Sequence, residues 1–151
     1  MENGSAMVSK NKTVLVTGAA GMLGHKVAEA CHGDWKVITA DIAEFDITSL
    51  QEALAFVKSA NPDVLVNCAG IAEPLGTSIL DIEPVDWHHL IDVHLHGTFN
   101  TCRHAAPLMA KAGGGSIINT SSHLNLDSWT MSKISKTISP SSSSCSNITA
   151  Q

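Results

Sequence analysis

Three glycines set three apart, Gly18, Gly21 and Gly24, follow closely on the apolar run Val14-Leu15-Val16. The pattern predicts a strand, a tight turn and the start of a helix. A helix N-terminus presents unpaired backbone N–H groups and a partial positive charge, so it can hold a diphosphate once the backbone is allowed close. Glycine permits that approach because it has no Cβ. A second apolar run, Trp35 to Ala40, ends in Asp41. This is about twenty residues beyond the glycines, where a carboxylate would meet the ribose hydroxyls of an adenosine. The placement predicts NAD in preference to NADP. Two plainer readings compete: a turn that only reverses the chain, and an acid that merely ends a strand.

Such residues need a scaffold, and the hydrophobic pattern alternates between strand and helix periods along the chain. Strands are expected near 13–18, 36–41, 63–68 and 115–120, and helices over 22–32, 48–60 and 84–111. Thr48 or Ser49 caps the second helix, Glu52 stands in its first turn, and Asn61-Pro62 stops it. Pro84 suits the first turn of the third. In that helix Trp87, Ile91, Leu95, Phe99, Cys102 and Ala106 recur at steps of three or four and are expected to face the sheet. Repeated strand-helix-strand units imply right-handed crossovers and a parallel sheet covered on both faces. The fold class is therefore α/β, a doubly wound parallel sheet.

Composition narrows the function. The 151 residues fit one domain, long enough to bury a real core. Nine basic residues against fourteen acidic ones give a net charge of −5, which argues against nucleic-acid partners and against a membrane surface. The four cysteines, Cys31, Cys68, Cys102 and Cys145, stand far apart, and the first three fall in apolar segments, so they read as reduced core residues. No apolar stretch reaches the roughly 18 residues of a membrane span, and Met1 to Ala6 lacks the basic and apolar regions of a secretory signal; a cytoplasmic location is expected. His88, His89, His94, His96 and His104 crowd the third helix, but no two stand four apart as a helical metal pair would, so no metal is expected.

In this order the landmarks resemble the short-chain dehydrogenase/reductase family over about residues 13–133. Thr17 to Gly24 looks like the glycine turn of the extended branch. With Phe45-Asp46-Ile47-Thr48 and Pro62-Asp63-Val64-Leu65-Val66-Asn67, the N-terminal part is most similar to dTDP-4-dehydrorhamnose reductases. Asn67-Cys68-Ala69-Gly70 resembles the Asn-Asn-Ala-Gly motif that ends the next strand along the cofactor, departing from it at Cys68. The stretch Ile91 to Phe99 resembles a third-helix motif of the ordinary short branch, with His94 where asparagine usually stands. Gly115 to Ser122 resembles the strand carrying the active-site serine, with Ser122 in that place.

The resemblance implies a Rossmann-type fold, incomplete at its C-terminal side, and an NAD(P)-dependent oxidoreductase moving hydride to or from a small carbonyl or alcohol. It places the cofactor against Gly18, Gly21, Met22, Leu23, Gly24, Asp41, Asp46, Ile47, Asn67, Ala69 and Gly70, with Asp46 and Ile47 flanking the adenine. Ser122, Lys133 and His94 carry the catalytic positions. His94 could order a water in a proton relay or simply bond a backbone carbonyl at the core edge. Homo-oligomerisation is expected through the helix at 84–111.

One family element is missing. A tyrosine hydroxyl ordinarily exchanges the proton, and a lysine four residues later lowers its pKa, but this chain contains no tyrosine. Trp129-Thr130-Met131-Ser132-Lys133 keeps the lysine and puts an indole, a donor without useful acidity, in the tyrosine's place. Loss of a positioned acid or base costs about 10² to 10⁴ in rate, roughly 3–5 kcal/mol of barrier. After Lys133 the composition turns serine-rich, so 1–12 and 134–151 are expected to be a flexible leader and a disordered tail around a domain at 13–133. The family's later strands are not recognisable there, as in a truncated member. Three readings stand open: a working oxidoreductase, a non-catalytic dinucleotide-binding module, and an aberrant truncated product.

Overall fold

Thr13–Thr17 forms strand β1, and all five residues are buried because strands flank it on both sides and helices cover both its faces. The computed structural model describes residues 12–31, 33, 35–72, 80–122 and 145–150. Within it β1 is followed by α1 (Met22–Ala30), β2 (Lys36–Ala40), α2 (Leu50–Ala60) and β3 (Val64–Asn67). Then come α3 (Pro84–Ile91), a π-helical segment (Asp92–Gly97), α4 (Thr98–Lys111), β4 (Ser116–Ser122) and β5 (Cys145–Ala150). All strand pairs are parallel in the order β2-β1-β3-β4-β5, so the order reverses between β1 and β3. That switch point opens a crevice at the carboxyl ends of the strands.

The core has two parts, one on each face of the sheet. Leu15, Leu65 and Ile117 point towards Ala53 and Val57 of α2 and Ala105 and Met109 of α4. Val14, Val16 and Val66 point the other way, towards Val27 and Ala28 of α1. The alternation along β1 feeds both layers, as period-two side chains of a doubly covered strand must. The start of α2 follows from local chemistry. Ser49 Oγ accepts the Glu52 N–H at 3.3 Å, while the Glu52 carboxylate accepts the Asp46 N–H at 2.9 Å. Its end is set by Asn61 in the left-handed region, φ 43°.

Strand and helix positions follow the pattern in the sequence, with three differences. The helix over 84–111 is interrupted by a π-helical turn at Asp92–Gly97. Its sheet-facing stripe is Val93, Gly97, Thr101, Ala105 and Met109, whereas Leu95 is 61% exposed, Phe99 53% and Trp87 49%. Of the expected face, Trp87, Leu95 and Phe99 are therefore turned outwards, while Ile91 and Cys102 are half-buried and Cys102 packs on the core. The physical reason is close approach: a Cβ on Gly97 would lie 2.8 Å from Ile47 Cγ2, and only small residues let the helix sit that near. Thirdly, β5 pairs with β4 from Ile117↔Cys145 to Ser122↔Ala150, inside the segment 134–151 expected to be disordered. The correction applies to 145–150; residues 1–11, 134–144 and 151 lie outside the described residues. No helix among the described residues is long and apolar enough to cross a membrane.

Candidate functional site

The chain leaves β1 at Thr17 and turns across the carboxyl edge of the sheet. Gly18 has φ +66°, and a Cβ there would lie 2.5 Å from the backbone N and Cα of Ala69. Only glycine lets this turn rest on the segment after β3. Gly24 has a different task, since its Cβ would overlap the Gly18 backbone, so it lets the first turn of α1 pack on the loop. Gly21 stands apart: its Cβ would meet only its own turn, at Gly18 O, 3.2 Å away, and Gly21 lines the cleft. No side chain caps α1, and no acid stands in its first turn. The positive end of that helix is therefore left without a side-chain carboxylate of its own.

The cleft holds about 510 Å³. One wall is the glycine turn with Asp41, whose Oδ2 accepts the Ala20 N–H at 2.8 Å and whose Oδ1 accepts the Ile42 N–H at 2.9 Å. The second wall is Phe45 to Thr48. Asp46 Oδ1 accepts the Thr48 N–H and hydroxyl at 2.8 and 2.7 Å, and Asn100 Nδ2 donates to the Ile47 and Thr48 carbonyls at 3.1 and 3.2 Å. Phe45 stacks on Phe56 with ring centroids 4.7 Å apart, pinning this wall to α2. The third wall is Cys68 to Ile71, backed by Val93 and His89. Burial pushes the Cys68 thiol up to about 11, so this cleft-lining sulfur stays protonated at neutral pH.

His94 sits on the π-helical segment with its ring against Gly70, where a Cβ would come within 2.6 Å of His94 Cε1. Its Nε2 is 2.6 Å from the Ile71 carbonyl oxygen and 3.2 Å from the Ile71 nitrogen. One ring nitrogen serves one of these partners at a time. With its proton it donates to the carbonyl; without it, it accepts from the N–H. The imidazole thus holds the third wall by its backbone.

Of the residues expected at a cofactor, Gly18, Gly21, Asp41, Asp46, Ile47, Ala69 and Gly70 surround the cleft, and Gly24 shapes the turn behind it. Three depart from expectation. Met22 is 84% exposed, and neither it nor Leu23 lines the cleft, because the first turn of α1 aims these side chains outwards. The Asn67 side chain is buried in the interior. Its Oδ1 accepts from the Thr101 hydroxyl at 2.9 Å and the Thr17 hydroxyl at 3.4 Å, and its Nδ2 donates to Asn119 Oδ1 at 2.9 Å. It ties β1, β3, β4 and α4 together. Ser122 ends β4, three places beyond the Asn119 that pairs with the last residue of β3, at the same end of the sheet as the cleft. Lys133 and Trp129 lie outside the described residues. Sequence reasoning also missed Ile42 and His89 as cleft residues; neither belongs to a recognisable spacing, and only the fold brings them in.

The family model described as enoyl-(acyl carrier protein) reductase, a short-chain dehydrogenase model, matches residues 5–138. The acetoacetyl-CoA reductase of Allochromatium vinosum is 37% identical over 99 residues, which is 64% of this chain and 39% of that protein. The 3-oxoacyl-[acyl-carrier protein] reductase of Brucella melitensis superposes with a TM-score of 0.63 at 27% identity, covering 75% of this chain and 53% of that one. The dTDP-4-dehydrorhamnose reductase of Bacillus anthracis, solved in complex with NADP, superposes with a TM-score of 0.61. It is 18% identical and covers 74% of this chain and 36% of that one, a likeness of fold alone. The chain belongs to the short-chain dehydrogenase/reductase family of oxidoreductases, whose cofactor class is NAD(P). It spans well under two thirds of the length of these proteins.

Proposed function

We propose that the chain binds a nicotinamide dinucleotide in this cleft, NAD in preference to NADP, and that its hydride-transfer chemistry is impaired. The observation that carries the reading is Asp41, a carboxylate bonded to the glycine turn at 2.8 Å on the wall of a switch-point cleft. The residues fit such a ligand: Gly21 leaves room for a diphosphate beside the uncapped end of α1, and Ile47, Val93 and Phe45 offer apolar surface to an adenine. When bound, the nicotinamide supplies or takes the hydride. The protein's part is to align it with a small carbonyl or alcohol and to manage the proton.

That second part is deficient, since no tyrosine exists in the chain. Ser122, His94 and Lys133 remain as the groups for a water-relayed proton, and the bond between His94 and Ile71 supports a positioning role for His94 over a proton-carrying one. Titration of the full chain with NADH, followed by turnover with a panel of carbonyl compounds, tests the reading. Saturable binding with turnover reduced by about 10² to 10⁴ is expected, and Ser122→Ala abolishes what remains. Turnover unchanged by Ser122→Ala discards the relay, and absent NADH binding discards the reading.

Self-association through the helix at 84–111 goes with this proposal, supported by the exposed Trp87, Leu95 and Phe99 on its outer side. Sedimentation of wild type against Leu95→Glu checks it, with a dimer expected only for the wild type. A cytoplasmic location is proposed too, in keeping with Cys31 and Cys68 being free thiols. Fractionation of the cells that make the protein checks the location.

A further inference from the structure

We propose that Glu44 is a second determinant of cofactor choice, its carboxylate barring a phosphate from the adenosine ribose. The proposal rests on the dinucleotide reading above. Directly after Asp41 the chain folds back, with the Glu44 and Phe45 N–H groups donating to the Asp41 carbonyl at 3.0 and 3.1 Å. The Glu44 side chain returns through the same turn, and its Oε2 accepts the Asp41 N–H at 2.7 Å. Two carboxylates are thus anchored on one residue's backbone and side chain, Asp41 aimed at the glycine turn and Glu44 beside it.

A second hollow, of about 300 Å³, opens where these two acids meet. It shares Ala20, Ala40 and Asp41 with the main cleft and adds Glu44 and His25. A ribose within hydrogen-bond reach of Asp41 would carry any 2′ substituent to this shared rim. Among the described residues lining the hollow there is no lysine or arginine. His25 lines the hollow but has its Nε2 3.3 Å from the Glu29 carboxylate, and Lys26, outside the lining, is paired with Glu29 at 2.7 Å, so each is already opposed by an acid. A phosphate there meets two negative charges with no fixed cation, the repulsive element that selective sites use against the wrong ligand. Because Glu44 is exposed, water and salt weaken the repulsion without abolishing it.

Glu44 could instead do no more than hold the turn, and Glu44→Gln separates the two roles. Its amide oxygen still accepts the Asp41 N–H, while the charge is gone. Full-length wild type and Glu44→Gln are titrated with NADH and NADPH at low and at high salt. NADPH affinity is expected to rise about fivefold in the variant at low salt, with NADH affinity and melting temperature unchanged, and the gain to shrink at high salt. Glu44→Lys, which does not depend on the turn bond, raises NADPH affinity further. If wild type binds NADH as proposed but neither variant gains NADPH affinity, or if both cofactors gain equally, the role of Glu44 is overturned alone. If wild type binds neither dinucleotide, the underlying reading falls and this proposal with it.

Discussion

Replacing Asn67 with alanine tests whether this motif residue holds the fold or the ligand. Asn67 is 4% exposed, and its carboxamide makes two close hydrogen bonds, from Thr101 Oγ1 and to Asn119 Oδ1, both 2.9 Å, plus longer ones with Thr17 and Cys102. Each close bond contributes about 1 kcal/mol net. Thr101 keeps the Thr98 and Gly97 carbonyls at 3.0 and 3.3 Å, so its hydroxyl finds another acceptor. Asn119 Oδ1 keeps only the Cys102 thiol at 3.6 Å among these partners, and the Thr17 hydroxyl loses Oδ1, which adds roughly 1–2 kcal/mol for ill-satisfied buried groups. The sum is about 3–4 kcal/mol, or a melting temperature lower by about 6–16 °C for a chain of this size. Urea unfolding followed by tryptophan fluorescence measures it. A loss under about 1 kcal/mol, or a fall in NADH affinity at unchanged stability, would refute the structural role.

Three further outcomes follow from single contacts. Burial raises the Cys68 thiol to about 11, so above its ordinary pKa near 9.0 the unfolded chain ionises while the folded chain does not. Stability falls as pH rises from 9 to 11, and Cys68→Ala removes that part of the slope; urea midpoints for the two proteins that run parallel across this window contradict the assignment. His94→Ala frees the Ile71 backbone and costs about 1 kcal/mol, whereas His94→Asn, whose carboxamide is donor and acceptor at once, regains it. Equal melting temperatures for all three proteins would mean that the imidazole does not hold this wall. Gly18→Ala puts a Cβ 2.5 Å from Ala69 at a positive φ, so it lowers stability by about 1–3 kcal/mol in the same unfolding assay, and wild-type stability would show that the turn can shift.

Where structure follows from short-range chemistry, it was legible in the sequence. The runs at Val14 and Val37 are strands, Ser49 caps α2, Asn61 ends it, and the three glycines form a turn at the sheet's carboxyl edge. Asp41 and the Asp46-Ile47 pair line the cleft, and both stand at the ends of recognisable elements. What failed depends on tertiary packing. Hydrophobicity alone points the helix over 84–111 to the sheet with Leu95 and Phe99, but the side facing the sheet is chosen by size, and Gly97, Thr101 and Ala105 fit where those two do not. Asn67 sits in a cofactor-like motif, yet its partners Thr101 and Asn119 lie 34 and 52 places away and no local pattern announces them. Glu44 carries no motif at all; only the reversal of the chain after Asp41 sets its carboxylate on the Asp41 N–H.

The proposed dinucleotide site at the glycine turn and Asp41 stands or falls on calorimetric titration of the full chain with NADH and NADPH, wild type beside Gly21→Val. The valine side chain would fill the space Gly21 leaves open to the cleft. Such a site gives saturable micromolar binding of NADH by the wild type, weaker binding of NADPH, and no binding of either by a variant that still folds, its melting temperature lowered only modestly by the Cβ against Gly18 O at 3.2 Å. A folded wild type that binds neither, or a variant that binds as the wild type does, would contradict it.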